Sequence, residues 1–265
     1  MSQPDGASTF QVSGEIYDAF MGRYSGPLAV QLADACGVSR GQRALDVGCG
    51  PGALTAELVR RLGASSVAAC DPSVPFVAAC RDRNPGADVR EGRAEALPFA
   101  DHSVDLAVAS LVLHFMSDPA RGIDEMRRVV VPGGQVAACV WDFDRGMQLF
   151  HAFWEAAVAV DPQAPAELYA RRFGRPGEVV QLLEDRGLEQ VSEQTMTVQT
   201  TYASFEEVLA GLMAGIGPAG SYLVAQPEGR RQALRSELFS RLGSPAGSFT
   251  LQAVARSASG VTPAP

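Results

Sequence analysis

The sequence predicts an α/β protein, a mostly parallel sheet with helices on both faces, and three observations carry that prediction. Short apolar runs recur at 44–47, 66–70, 104–110 and 135–141. Between them, residues 55–62, 74–83 and 119–130 place apolar side chains at helical spacing. Crossovers of that length join parallel strands, and strands that are apolar along their whole length suit a sheet covered on both sides.

Taken in order, residues 1–14 are small and polar and are expected to form a flexible N-terminus, followed by a helical segment over 15–40. A core over 41–141 opens on the strand 44–47, which runs into Gly48-Cys49-Gly50-Pro51-Gly52 and then a helix. The second strand closes on Asp71, and a third is expected at 88–91, followed by Gly92-Arg93-Ala94-Glu95. The fourth ends in Ser110-Leu111-Val112-Leu113-His114-Phe115, and Pro132-Gly133-Gly134 leads into the fifth. After Trp141 the rhythm changes. Residues 142–256 hold an aromatic stretch (Phe143, Phe150, Phe153, Trp154), an arginine cluster (Arg171, Arg172, Arg175) and a helix at 176–186. A long strand over 188–202, two helical patterns within 204–241 and a last strand over 248–255 complete it, with a loose tail expected over 257–265. This half reads as the rest of the sheet with an inserted helical cap over a substrate site.

Composition removes several chemistries. The 265 residues carry 22 basic and 30 acidic side chains, a net charge of −8, and every basic one is arginine. Without lysine there is no Schiff-base nucleophile, no Walker A loop and no kinase-type strand lysine. The acidic balance speaks against a nucleic-acid partner, which needs a basic face to replace counterions. Five cysteines, odd in number and without C-x-x-C spacing, read as buried thiols rather than a disulfide frame, and no metal site is expected. The first thirty residues lack a secretory pattern and no apolar run reaches membrane length, so a cytoplasmic protein without a membrane partner is expected.

The glycine turn carries the chemistry. Glycines between a strand and a helix let a ligand approach the backbone, and the helix start offers free N–H groups. Gly48-x-Gly50-x-x-Ala53 also fits a dinucleotide fingerprint. Three features favour a different ligand: Asp46 suits an ammonium better than a pyrophosphate, Pro51 costs the turn a donor, and no second basic, glycine-rich loop follows. Asp71, at the end of the next strand, is placed to accept from both hydroxyls of an unphosphorylated ribose.

With these motifs in this order, the chain resembles the class I S-adenosylmethionine-dependent methyltransferases, within the ubiquinone/menaquinone-methyltransferase-like group called type 11. The resemblance is densest over 43–141. It implies a Rossmann-like seven-stranded sheet of order 3-2-1-4-5-7-6, the last strand antiparallel, with S-adenosyl-L-methionine as cofactor. By the resemblance, Asp46, Gly48 and Gly50 hold the methionine end, with Cys49 lining the turn. Asp71 takes the ribose, Pro72 and Ser73 flank the adenine, and Ala94 and Glu95 meet its edge. Ser110, Leu111 and Phe115 lie under the sulfonium. The helix over 15–40 resembles the family's lid, with Tyr17 and Arg23 over the cofactor, although amphipathic packing explains Tyr17 equally well. Where the family often carries an aspartate that accepts from adenine, this chain has Arg93, which can only donate.

His114, just beyond the fourth strand, stands where a general base or a simple lining residue would. His151 and Trp154 are candidates for the substrate wall of the cap, with an ordinary helix face and a buried Phe150/Trp154 stripe as the alternatives. The expected function is methyl transfer to a small molecule, a quinone-like ring, a polyketide or another secondary metabolite, by a monomer or homodimer. The alternatives are an NAD(P)-dependent reductase and a methyltransferase fold that binds the cofactor without methyl transfer, as a scaffold subunit or rearrangement catalyst.

Overall fold

The computed structural model describes residues 18–142, 145–165 and 173–264. Tyr17, Phe143, Arg171, Arg172 and the segment 1–14 lie outside the described residues. The sheet has seven strands: β1 (Ala44–Val47), β2 (Val67–Asp71), β3 (Asp88–Glu91), β4 (Val104–Ser110), β5 (Val130–Trp141), β6 (Glu189–Tyr202) and β7 (Phe249–Val261). Their order is β3-β2-β1-β4-β5-β7-β6, as expected. The strands from β3 to β5 pair in parallel, and β7 enters antiparallel between β5 and β6.

Nine α-helices are described: α1 (Arg23–Ala35), α2 (Ala53–Leu62), α3 (Val74–Arg83), α4 (Pro119–Val129), α5 (Gln148–Val160), α6 (Glu178–Asp185), α7 (Phe205–Met213), α8 (Gly217–Ala225) and α9 (Glu228–Arg241). Alternation along the central strands splits the core between the two faces of the sheet. Leu106, Val108, Ala137, Cys139 and Trp141 join Leu28, Leu32, Leu54, Leu58 and Phe153 on one side. Ala107, Ala109, Val136, Ala138 and Val140 join Ile123, Met126, Val179 and Leu183 on the other. All five cysteines are buried free thiols, as read.

Local chemistry sets the helix starts. Asp118 caps α4 by accepting from Arg121 N–H at 3.0 Å, with Pro119 in the first turn where its missing donor costs nothing. The apolar stripe of α4 then buries Ile123, Met126 and Val129.

The structure corrects the chain's second half. Residues 257–261 are the end of β7, paired with β5 and β6, and not a loose tail. Thr262 continues the pairing by accepting from Gly133 N–H and donating to Gly134 O. The region 204–241 holds three helices where two patterns were read. Among the described residues no single helix is long and apolar enough to cross a membrane.

Candidate functional site

A pocket opens at the carboxyl ends of β1, β2 and β4, where ligands collect in open α/β sheets. Its floor is the glycine turn. Gly48 and Cys49 both donate N–H to Cys70 O, at 2.8 and 2.9 Å, which ties the turn to β2. Gly48 has φ +72°, and a β-carbon there would stand 2.5 Å from a γ-carbon of Val112. The backbone conformation and the close approach of the β4 loop both require glycine.

Two carboxylates flank the turn. Asp46, 1% exposed, accepts from the Thr55 hydroxyl of α2 at 2.7 Å. Burial pushes its carboxyl up to about 7, and repulsion from Asp71 adds to this against the Thr55 hydrogen bond. Asp71 accepts from Gly50 N–H at 2.9 Å and from Ser73 N–H at 2.8 Å. Its burial raises its pKa, opposed by those two donors. Each of its oxygens keeps a lone pair for a ligand hydroxyl.

Of the residues singled out, Asp46, Gly48, Cys49, Gly50, Asp71, Pro72, Ser73, Ala94, Glu95, Ser110, Leu111 and Phe115 come together on the pocket wall. Arg93 joins them, 3.9 Å from Glu95. Leu111 holds a left-handed φ of +63° with its N–H on Cys139 O, a strained conformation of the kind that collects at binding sites. Sequence reading missed Ser25, Leu54, Phe76, Val112 and Met116 on the same wall. Val112 and Met116 follow from extending the Leu111–Phe115 segment, but nothing in the sequence marks which face of α1, α2 or α3 meets the pocket.

Arg23, His114, His151 and Trp154 are not on this wall. The Arg23 guanidinium pairs with Glu207 and lies 4.4 Å from the centre of the Tyr202 ring, joining α1 to β6 and α7. The His114 ring centre lies 4.0 Å from that of Phe115 with the rings tilted at 52°, and burial pulls its imidazole down to about 3, so it stays neutral near pH 7. His151 faces Glu155 at 3.5 Å on an exposed side of α5. Trp154 packs on Phe153 and Tyr222, with ring centres at 5.1 and 5.5 Å.

The pocket's far side, 93–95, is steadied from behind. Arg128 donates to Leu97 O at 3.0 Å and Phe99 O at 2.9 Å while chelated by Glu125, which accepts from Leu97 N–H at 3.0 Å. Removing Arg128 leaves Glu125 with Arg121 at 3.0 Å and Leu97 N–H, and leaves the Leu97 and Phe99 carbonyls short of donors. Arg128→Ala is expected to cost about 2–3 kcal/mol, seen as a melting point lower by roughly 5–10 °C. An unchanged melting curve would contradict this.

A family model described as a methyltransferase domain matches residues 45–138. The malonyl-[acyl-carrier protein] O-methyltransferase of Erwinia billingiae is 30% identical over 71% of this chain and 69% of its own length. The chain belongs to the class I S-adenosylmethionine-dependent methyltransferases. The demethylmenaquinone methyltransferase of Renibacterium salmoninarum is 38% identical over 40% of this chain and 44% of its own. Against the relatives matched over the core alone, the chain spans 34% to 44% of their length. Among solved structures, the [4+2]-cyclase SpnF superposes with a TM-score of 0.57 at 19% identity, over 100% of this chain and 99% of its own. At that identity it shows the shared fold.

The wall suits the family's cofactor, S-adenosyl-L-methionine. It offers two buried carboxylates for cationic and hydroxyl groups. It also holds two hydroxyls, Ser25 Oγ and Ser73 Oγ, that are buried with no protein partner. Ser73 sits at the N-cap of α3 yet does not cap it, an acceptor role that position normally takes.

Proposed function

We propose that the protein transfers a methyl group from S-adenosyl-L-methionine to a small, largely apolar acceptor. The observation that carries this reading is the pair of buried carboxylates, Asp46 and Asp71, on either side of a positive-φ glycine turn. A pyrophosphate in that turn would face two anions and a proline in place of a donor, which speaks against the NAD(P) reductase. In this proposal Asp46 and the turn hold the amino-acid end, Asp71 the ribose, and Ala94 and Glu95 the adenine side. Pro72 and Ser73 close the nucleoside edge, with Cys49 as lining.

When bound, the cofactor supplies an electrophilic methyl carbon on a sulfonium. The chain's part is to align the acceptor and keep water out. Ser110, Leu111 and Phe115, with Val112 and Met116, form the wall at the end of β4, and their apolar character favours a neutral ring. Of the acceptors weighed, a quinone-like ring fits that wall best, and the demethylmenaquinone relative supports the same class. His114 is assigned to the layer behind Phe115. A group with a pKa of about 3 binds a proton too weakly to serve as general base near neutrality. His151 and Trp154 belong to the body of the cap in this reading. The likeness to a cyclase supports a second reading, a bound cofactor used without methyl transfer.

Incubation with tritiated S-adenosylmethionine and extract of the source cell separates the two. Label in an organic-soluble metabolite is expected, and tight cofactor binding without any labelled product would favour the second reading.

Asp46 makes cofactor binding pH-dependent. Between its ordinary 3.8 and about 7 the folded protein keeps a proton that the unfolded chain has released, so this group removes stability as pH rises through that window. A cationic amino group beside it favours the ionised form. Affinity for S-adenosylhomocysteine is therefore expected to fall as pH drops below 7, by up to about tenfold per unit. Asp46→Asn flattens the profile and weakens binding at pH 8. Equal wild-type affinity at pH 5 and pH 8 would remove Asp46 from the ammonium.

A further inference from the structure

The resemblance places Arg23 over the cofactor, but here its guanidinium is engaged on β6 and α7. It pairs with Glu207 through Nη2, lies over the Tyr202 ring and reaches Thr201 O, while its buried Nε has no hydrogen-bond partner among the described residues. Two residues on, Ser25 is the one described residue of α1 on the pocket wall. Its hydroxyl oxygen is buried and has no hydrogen-bond partner among the described residues. A buried hydroxyl without a partner is a cost that a fold removes readily by substitution with alanine, so its presence on a pocket wall asks for a ligand group.

The packing of α1 says which part of the ligand it meets. Leu28, Ala29 and Leu32 of α1 share a core with Leu54 and Leu58 of α2, the helix that grows out of the glycine turn. Asp46 is tied to the same helix through Thr55. Ser25 thus enters from the side of the turn and Asp46. The 93–95 side follows β3, two strands away from β1 at the edge of the sheet.

We infer that Ser25 donates its hydroxyl to the α-carboxylate of the cofactor's amino-acid end, and that Arg23 is the latch that holds α1 in place for it. The division is chemically complete: an anionic Asp46 meets the ammonium, and a neutral donor from another element meets the carboxylate. Serine fits because a hydroxyl donates to an anion without adding a charge beside the neighbouring sulfonium. The latch also explains why α1 can present an unsatisfied group. Arg23 with Glu207, Tyr24 hydroxyl with Tyr202 hydroxyl at 3.0 Å, and Gln31 with Thr197 O at 2.9 Å fix the helix on β6 and α7.

The inference rests on the cofactor-binding reading above, and the test keeps the two apart. Calorimetry is run on the full chain with S-adenosylhomocysteine and with 5′-methylthioadenosine, which keeps the nucleoside and thioether but lacks the amino acid. Failure of the wild type to bind either compound would sink the cofactor reading itself. Given wild-type binding, Ser25→Ala is expected to weaken S-adenosylhomocysteine about tenfold and to change methylthioadenosine by less than about twofold, the loss of one hydrogen bond to a charged group. Its melting point should hold or rise, because the hydroxyl has no protein partner to lose. Arg23→Gln should lower the melting point, and because Arg23 acts through Ser25 it should weaken S-adenosylhomocysteine no further in a Ser25→Ala background. Unchanged affinity in Ser25→Ala, equal loss for the two ligands, or a further selective loss of S-adenosylhomocysteine when Arg23→Gln is added to Ser25→Ala would each overturn the assignment.

Discussion

Asp71→Ala is expected to weaken S-adenosylhomocysteine binding about a hundred-fold, and methylthioadenosine by the same factor. A carboxylate accepting from two ribose hydroxyls contributes on the order of 3 kcal/mol beyond what water supplies to the same groups. Both ligands carry the ribose, so both lose the same contact. The variant also strips the acceptors from Gly50 N–H and Ser73 N–H, which Asp71 holds at 2.9 and 2.8 Å. A fall in melting temperature of a few degrees should accompany the loss, with the far-UV spectrum unchanged, because β2 itself is held by β1 and β3. Wild-type affinity in this variant would mean that the ribose lies elsewhere.

Gly48→Ala should be the most damaging single methyl in the pocket. The added β-carbon would stand 2.5 and 2.7 Å from the two γ-carbons of Val112, distances at which one backbone or the other must move. Valine is stiff at χ1 and cannot swing both methyls away. The left-handed φ of +72° adds about 1 kcal/mol for any residue with a side chain. The turn and the loop after β4 both line the pocket, so displacement of either should remove binding, and no measurable S-adenosylhomocysteine affinity is expected. Val112→Ala in the same chain removes both offending γ-carbons and leaves a β-carbon at 3.1 Å. The double variant should recover part of the affinity. If Gly48→Ala alone binds like the wild type, the close approach of turn and loop is not what shapes the pocket.

Much of this was legible because strand ends and ligand contacts coincide in this fold. Apolar runs gave β1 and β4 their observed limits, helical spacing gave α3, and β3 followed from the strand–helix alternation. Residues at the carboxyl ends of strands and just beyond them, Asp46, Gly48 to Gly50, Asp71 to Ser73, and Ser110 to Leu111, reach the pocket wall. The end of β7 was hidden by its composition. Ser257, Ser259 and Gly260 look like a loop in sequence, but small residues are needed where β7 is sandwiched. A β-carbon at Gly260 would stand 2.9 Å from Val191 and 3.0 Å from Leu188. β5 starts five residues before the expected 135, because Val130 pairs with Val104 ahead of a register shift that Pro132, Gly133 and Gly134 obscure.

The role of Arg23 was beyond sequence reading for another reason. Its partner Glu207 is 184 positions away on α7, and no local spacing announces such a pair. Ser25 was missed likewise, since a serine on an amphipathic helix carries no mark until the neighbouring helix shows which face is covered. The absence of lysine leaves arginine as the side chain for such tasks, and here Arg23 and Arg128 are spent on holding the walls of the pocket in place.

The central claim is that the glycine turn and its two carboxylates form a site for S-adenosylmethionine and not for a dinucleotide. Isothermal titration of the full chain with S-adenosylhomocysteine, NAD and NADP tests it most directly. One-to-one binding of S-adenosylhomocysteine in the micromolar range or tighter is expected, with no heat from either dinucleotide. Tight binding of NAD or NADP, with none of S-adenosylhomocysteine, would contradict it.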